Sequence, residues 1–358
     1  MTTVPGSIPK IILDCIELNK GIKIVYTKER SSGRRPIISR LIGPVVFLVL
    51  GVFIYWQITR QHNWRTSLSE VMSGVTGPLQ WKLWLVFALM FVNWGIEARK
   101  WQLALRPVGG LPFGNAFKAV FTGAAVASFT PNRMGDYLGR ILYIREGHRA
   151  QAIALTIACS MAQLMITLVV GLAGTLYVGA ASHRPLPSES HLPLALNILM
   201  AIVVILLVSL TFIYFRLDWV SRLLLKIPGT QRFSAYLKVL ENFDATILVR
   251  ILFLSFGRYI VFIAQYSLVF AVFGVNIGFW QAGGGMSVVF LVMAIVPTFT
   301  FLTELGLRWE ASIQVLELYS PNTVGIFAAS FAIWLINLII PALIGSLLIV
   351  SIKLFKSR

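Results

Sequence analysis

Acid is scarce in this sequence: 14 Asp+Glu face 31 Lys+Arg in 358 residues, a formal charge of +17. Charge of either sign is also thin, at 13% against 57% hydrophobic residues, which excludes an ordinary soluble globular domain. Only two cysteines occur, Cys15 and Cys159, far apart, so neither a disulfide framework nor a cysteine metal site is encoded. His62, His148, His183 and His191 have no ligand or catalytic spacing. Gly283-Gly284-Gly285 is followed by no Gly-Lys-Ser/Thr, so the chain carries no ATP-cradling loop. The first apolar run begins only near Arg40, too late and too long for a cleavable signal peptide.

What the chain does have is long apolar runs. Six reach the length that spans a bilayer, about 20 residues, at 41–58, 81–96, 152–180, 192–215, 251–273 and 324–352. Two more, 113–129 and 283–301, are rich in Gly and Ala and each runs into a polar break. The basic residues lie mainly between the runs. The tail through Arg40 holds eight Lys/Arg, 59–80 holds two, 99–149 eight, 181–191 one, 216–250 six and the C-terminal tail three. If both Gly-rich stretches are re-entrant, six spans put every basic-rich segment on the cytoplasmic side. The expected fold is an all-α polytopic helical bundle of six spans and two re-entrant hairpins, one from each face. Residues 1–39 form a basic cytoplasmic tail, 40–353 the transmembrane domain and 354–358 a cytoplasmic end. The basic balance sets orientation and favours anionic lipid headgroups rather than nucleic acid.

The richest signal is the first polar break, Ser128-Phe129-Thr130-Pro131-Asn132-Arg133-Met134-Gly135-Asp136, with Gly139-Arg140 beyond it. Irregular backbone at membrane depth persists only where protein or a wet cavity satisfies it, and charge there is usually functional. A helix starting near Gly135 makes Asp136 and Arg140 i,i+4 partners. Arg133 then stands at the helix start, where backbone N–H groups draw anions, and the arginine fork suits phosphate. The bland reading is a basic loop that only sets topology. The second break, Pro297-Thr298-Phe299-Thr300 through Glu304, Gly306 and Arg308, resembles the first loosely, and entry from opposite faces makes the two an inverted-repeat pair of the transporter kind.

Arg258 lies about two turns inside its run at roughly 1.5 Å per residue, so it needs a carboxylate or a lipid phosphate, with Glu97 and Glu304 as candidates. Snorkelling is the alternative. Glu97 shares a helix face with Asn93, and Glu304 and Arg308 are i,i+4. Gln163, Gln265 and Asn337 are single polar residues in apolar runs, expected to bond between helices. The three glycines at 283–285 are expected to form a tight re-entrant turn.

The run Thr130-Pro131-Asn132-Arg133-Met134-Gly135-Asp136-Tyr137 with Gly139-Arg140 resembles the P-x-R-x-G-E signature of the lysylphosphatidylglycerol synthase transmembrane region family, with Asp136 in place of Glu. Asn93, Glu97, Arg99, Lys100 and Trp101 resemble the charged end of that family's second helix, and Glu304-Leu305-Gly306-Leu307-Arg308 with Glu310 resembles a later element less closely. The resemblance runs from about Arg40 to Lys353 and implies the lipid-translocating part without the soluble synthase part. It implies a stand-alone flippase in the cytoplasmic membrane that moves a phospholipid or lipid-linked anion, with no cofactor. The substrate-binding candidates are Asn132, Arg133, Gly135, Asp136, Arg140, Arg258, Glu97, Glu304 and Arg308. Partners are then the lipid itself and, beyond it, a second copy or an envelope enzyme. The competing readings are a membrane-embedded transferase using a lipid-linked donor and a non-catalytic accessory subunit.

Overall fold

Long apolar runs punctuated by Pro, Gly and charge leave the backbone one economical choice in a poorly hydrating medium, the α-helix, which satisfies its own N–H and C=O groups. The computed structural model describes residues 64–128, 130, 133–181, 192–216, 219, 245–296 and 301–356. Among these there is no strand. The helices are α1 (Trp64–Thr76), α2 (Gln80–Ala104), α3 (Phe113–Ala127), α4 (Gly135–Arg140), α5 (Arg149–Ala181), α6 (Leu192–Phe215), α7 (Ala245–Val272), α8 (Phe279–Ile295), α9 (Phe301–Leu316), α10 (Thr323–Trp334) and α11 (Ile340–Lys356). A π turn, Leu335–Ile339, joins α10 to α11 just before Pro341, whose missing N–H would break a regular helix.

Four helical stretches are long and apolar enough to cross a membrane: Glu146–Ala180, Asn197–Phe215, Ala245–Val272 and Thr323–Ile349. They coincide with four of the six expected runs. The expected run at 41–58 lies outside the described residues. The run at 81–96 falls within α2, a helix of 25 residues whose C-terminal half carries Glu97, Arg99 and Lys100. Length and composition thus give a multi-pass membrane fold.

The order long helix, helical hairpin, long helix occurs twice, as α2, α3–α4, α5 and as α7, α8–α9, α10–α11. From α2 through Arg140 the first set registers on the second without a gap. Arg308 follows Arg140 by 168 positions (308 less 140), and the same shift takes the last residue of α2, Ala104, to the last of α7, Val272, and the last of α3, Ala127, to the last of α8, Ile295. It also aligns Lys82 with Arg250, Gly110 with Gly278, Thr130 with Thr298 and Asp136 with Glu304.

The two first helices pack antiparallel. Arg258 of α7 meets Asn93 and Glu97 of α2, whereas Gln265, two turns on, donates to the Val86 carbonyl at 2.9 Å, further back along α2. The end of α2 and the start of α7 therefore share one end of the bundle. Tyr214 at the end of α6 joins them there by donating to the Leu248 carbonyl. At the other end Gly74 of α1 abuts Val272, and Asn322, capping α10, donates to the Phe273 and Gly274 carbonyls. Since α3 follows α2 and α8 follows α7 after short connections, the two hairpins start from opposite ends.

Each hairpin rests against a long helix of the other set. Gly345 of α11 lies on Phe121 and Ala125 of α3, and Gly171 of α5 lies on Ser287 and Leu291 of α8. Shifting Phe121 by the same interval lands on Val289, between those two residues. The glycine triplet corrects the sequence reading. Gly283, Gly284 and Gly285 lie inside α8, not in a turn. Their missing side chains admit Tyr177 of α5 beside Gly284 and Leu316 of α9 beside Gly285. Of the polar residues in apolar runs, Gln265 bonds between helices as expected. Asn337 instead donates to Ile333 of its own segment, where the π turn disturbs the regular carbonyl ladder, and the side-chain oxygens of Asn337 and Gln163 are buried without a partner.

Candidate functional site

The α3–α4 hairpin is built by close backbone approach. A Cβ at Gly139 would stand 2.5 Å from the Thr122 carbonyl and 2.6 Å from the Gly123 Cα, and one at Gly135 would stand 2.5 Å from the Val126 carbonyl. Only glycine lets these helices approach so closely. Thr130 closes the break: its Oγ1 accepts from the Gly135 N–H at 2.7 Å. Arg133, just before α4, has φ +57, a left-handed conformation uncommon for a residue with a side chain. Such outliers cluster at functional sites.

The hairpin delivers Asp136 and Arg140 to the charged half of α2. Arg140 binds Asp136 through two nitrogens, Nε to Oδ1 at 2.9 Å and Nη2 to Oδ2 at 2.6 Å. Its Nη2 also donates to Glu97 Oε1 at 3.0 Å. The other oxygen of Glu97 accepts from Lys100 Nζ and from Arg258 Nη1, both at 2.7 Å. Arg258 Nε donates to Asn93 Oδ1 at 2.6 Å. One carboxylate, 4% exposed, thus holds three cations from three helices. Aromatic faces line the cluster: the Arg258 guanidinium lies 5.5 Å from the Trp94 ring and 5.7 Å from Phe262, and that of Arg140 lies 5.9 Å from Trp101. Trp101 is fixed in turn by donating to Thr156 Oγ1 of α5.

A second, smaller cluster sits on the other hairpin. Arg308 Nη2 donates to Glu304 at 2.8 Å and Nη1 to the Tyr266 hydroxyl of α7 at 3.1 Å. This pair occupies the positions equivalent to Asp136 and Arg140. At the position equivalent to Glu97 stands Gln265, so the second cluster lacks a central carboxylate. Arg133 is exposed and within electrostatic range of both Arg258 and Glu304.

The structure therefore joins Glu97, Asp136, Arg140 and Arg258, leaves Arg133 exposed just before α4 and Gly135 buried against α3, and sets Glu304 with Arg308 apart. Of the two carboxylates considered for Arg258, it is Glu97 that binds it; Glu304 is taken by Arg308. Asn132 lies outside the described residues. Sequence reasoning left Lys100 as part of a helix end, yet its Nζ is wholly buried on Glu97. The i,i+3 spacing from Glu97 was the available signal. Trp94 was not singled out, and Trp101 was named only in the resemblance to a family's charged helix end; the two flank Glu97 at one turn to either side of its face.

Arginine and lysine in this setting can hold an anion, and the paired carboxylates keep them charged and oriented between binding events. No family model, no curated protein and no solved structure matches the chain.

Proposed function

We propose that this protein translocates a phospholipid or lipid-linked anion across the cytoplasmic membrane, as the resemblance to the lysylphosphatidylglycerol synthase transmembrane region implies. The observation that carries the reading is the buried cation cluster on Glu97, assembled at the foot of a broken helical hairpin within a bundle of membrane-length helices. Buried charge at such a place is costly. A stability role alone is a poor explanation, since well-packed apolar residues stabilise as well as a buried ion pair does or better.

In this reading α2 is a span and both hairpins are re-entrant. With the basic-rich stretches at 99–149 and 216–250 in the cytoplasm, α3–α4 enters from that side and α8–α9 from outside. What supports this is the start of the two hairpins at opposite ends of the bundle and the antiparallel packing of α2 on α7. Such inverted halves are the architecture of alternating-access transporters. The headgroup docks on the arginines while the acyl chains stay in lipid. The transferase reading is less well supported, because Glu97, Asp136 and Glu304 are all engaged by arginine or lysine rather than poised as acids or bases.

The test is reconstitution into liposomes carrying a fluorescent lipid in both leaflets, with a membrane-impermeant quencher added outside. Accelerated loss of inner-leaflet fluorescence for anionic lipid, over protein-free liposomes, supports translocation. A rate equal to that of empty liposomes for every lipid class rejects it.

A further inference from the structure

The register between the two sets brings out one bond that is made in the first and open in the second. At the first hairpin Arg140 of α4 donates to Glu97 of α2 at 3.0 Å. The equivalent residues in the second set are Arg308 of α9 and Gln265 of α7. Each of these holds the half of a hydrogen bond that the other lacks. Arg308 Nε is a buried N–H with no acceptor, and Gln265 Oε1 is a buried oxygen with no donor. Gln265 is 0% exposed, and its amide nitrogen is already engaged by the Val86 carbonyl. Arg308 turns instead to Tyr266, the next residue on α7, whose hydroxyl accepts from Nη1 at 3.1 Å. Neighbouring residues of a helix point roughly 100° apart, so the two acceptors stand side by side around α7. Buried donors and acceptors normally find partners. The first hairpin has no such choice. Ala98 stands at the position equivalent to Tyr266 and offers no side-chain acceptor, while Asp136 and Glu97 hold Arg140 between them.

We infer that Arg308 is a latch with two seats on α7, the Tyr266 hydroxyl that it occupies here and the side-chain oxygen of Gln265, and that α9 moves between them while α4 stays docked on α2. Glu304, one turn back on the same helix, travels with Arg308 and keeps it paired in either seat. No charge is stranded by the move, and the two arrangements exchange one neutral acceptor for another. Both can therefore be populated. Packed elements with two discrete arrangements are the parts from which conformational cycles are made. The latch takes its use from the translocation reading, in which one hairpin must shift against a fixed half for access to alternate.

Spin labels at Val249→Cys on α7 and Gln314→Cys on α9, both exposed positions, report the spacing of the two helices by pulsed electron paramagnetic resonance. The full-length chain is used in lipid nanodiscs, with Cys15 and Cys159 replaced by serine. Tyr266→Phe removes the occupied seat and leaves the bond from Gln265 to Val86 in place. It is expected to shift the population ratio toward a second distance by roughly tenfold, the effect of one hydrogen bond. Adding Gln265→Leu to that variant is expected to abolish the second distance. Gln265→Glu, which gives α7 the acid found at the equivalent place in α2, is expected to draw α9 to the second distance with Tyr266 intact. Tyr266→Phe strands no charge and decides the matter if the Gln265→Glu chain does not fold. An unchanged distance in Tyr266→Phe overturns the latch and leaves lipid translocation standing. A second distance that persists when Gln265→Leu is added overturns it too, since α9 then moves without that seat. The expected shifts in a protein that moves no lipid in liposomes keep the latch and remove the translocation reading.

Discussion

Glu97 is the residue on which the site depends, because it is shared. If it becomes Leu, Lys100 and Arg258 lose the carboxylate they share while still buried, and about 3–5 kcal/mol of stability should go with it. Arg258→Leu is different. Glu97 keeps Lys100 and Arg140, so no charge is stranded and the loss should be nearer the two hydrogen bonds that Arg258 gives to Glu97 and Asn93, about 3 kcal/mol. Unfolding free energies of the two variants in mixed micelles check this, and a cost for Arg258→Leu equal to or above that for Glu97→Leu contradicts the shared-carboxylate account. Arg133→Ala and Asp136→Asn should insert and fold yet lose transport, because one removes the exposed cation before α4 and the other weakens the grip on Arg140. Transport at the wild-type rate in both, measured at matched protein density, returns the break to a topology-setting loop. The local pairs at this scale were legible: Asp136–Arg140 and Glu304–Arg308 are i,i+4 and follow from helical periodicity alone. The shared centre was legible only as a pair of candidates for Arg258. Glu97 reaches Arg140 across 43 residues and Arg258 across 161, and no local rule chooses among acids at that distance.

At the scale of elements, glycine sets where helices touch. Gly139→Ala puts a methyl group against the Thr122 carbonyl and Gly123 Cα, both backbone atoms that cannot swing aside. It should cost about 1–3 kcal/mol and displace α4. Gly147→Ala, in the open connection before α5, should be close to neutral. Comparing the melting temperatures of the two variants checks the hairpin packing; equal melting denies that the close approach matters. The same physics explains a misreading. A glycine triplet resembles a turn in sequence, but in an apolar run it serves equally to bring helices together, and only the presence of Tyr177 and Leu316 against it decides. The repeat was legible in part. Two Thr-containing breaks with a following charge were visible, but only the helix ends set their register, with Thr303 opposite Gly135 and Arg308 opposite Arg140. Few side chains are common to the two sets, so there was little to align in sequence alone.

For the whole molecule, the alternation of basic and charge-poor segments predicts which end of the bundle faces the cytoplasm. Gly147 lies in the connection between α4 and α5 and Glu317 in that between α9 and α10; both are exposed. Cysteine at 317 should react with an impermeant maleimide in intact cells, and cysteine at 147 only after permeabilisation, in a chain whose native Cys15 and Cys159 have been replaced by serine. The reverse pattern inverts the topology and with it the side from which each hairpin enters. The four stretches long and apolar enough to cross a membrane were plain from hydropathy. The run inside α2 reads as a span in sequence, but α2 is not among the four stretches long and apolar enough to cross a membrane, and the charges that build the site lower its apolar character.

The claim that joins these scales is that the arginines around Glu97 move an anionic lipid. The direct measurement is the rate of fluorescent lipid translocation in proteoliposomes for wild type, Arg133→Gln and Asp136→Asn at equal reconstitution, with phosphatidic acid, phosphatidylglycerol and phosphatidylcholine as cargo. The account predicts rapid movement of anionic cargo by wild type, little movement of phosphatidylcholine, and a fall toward the protein-free rate in both variants. Equal rates for all three lipids, or anionic rates unchanged in both variants, would contradict it.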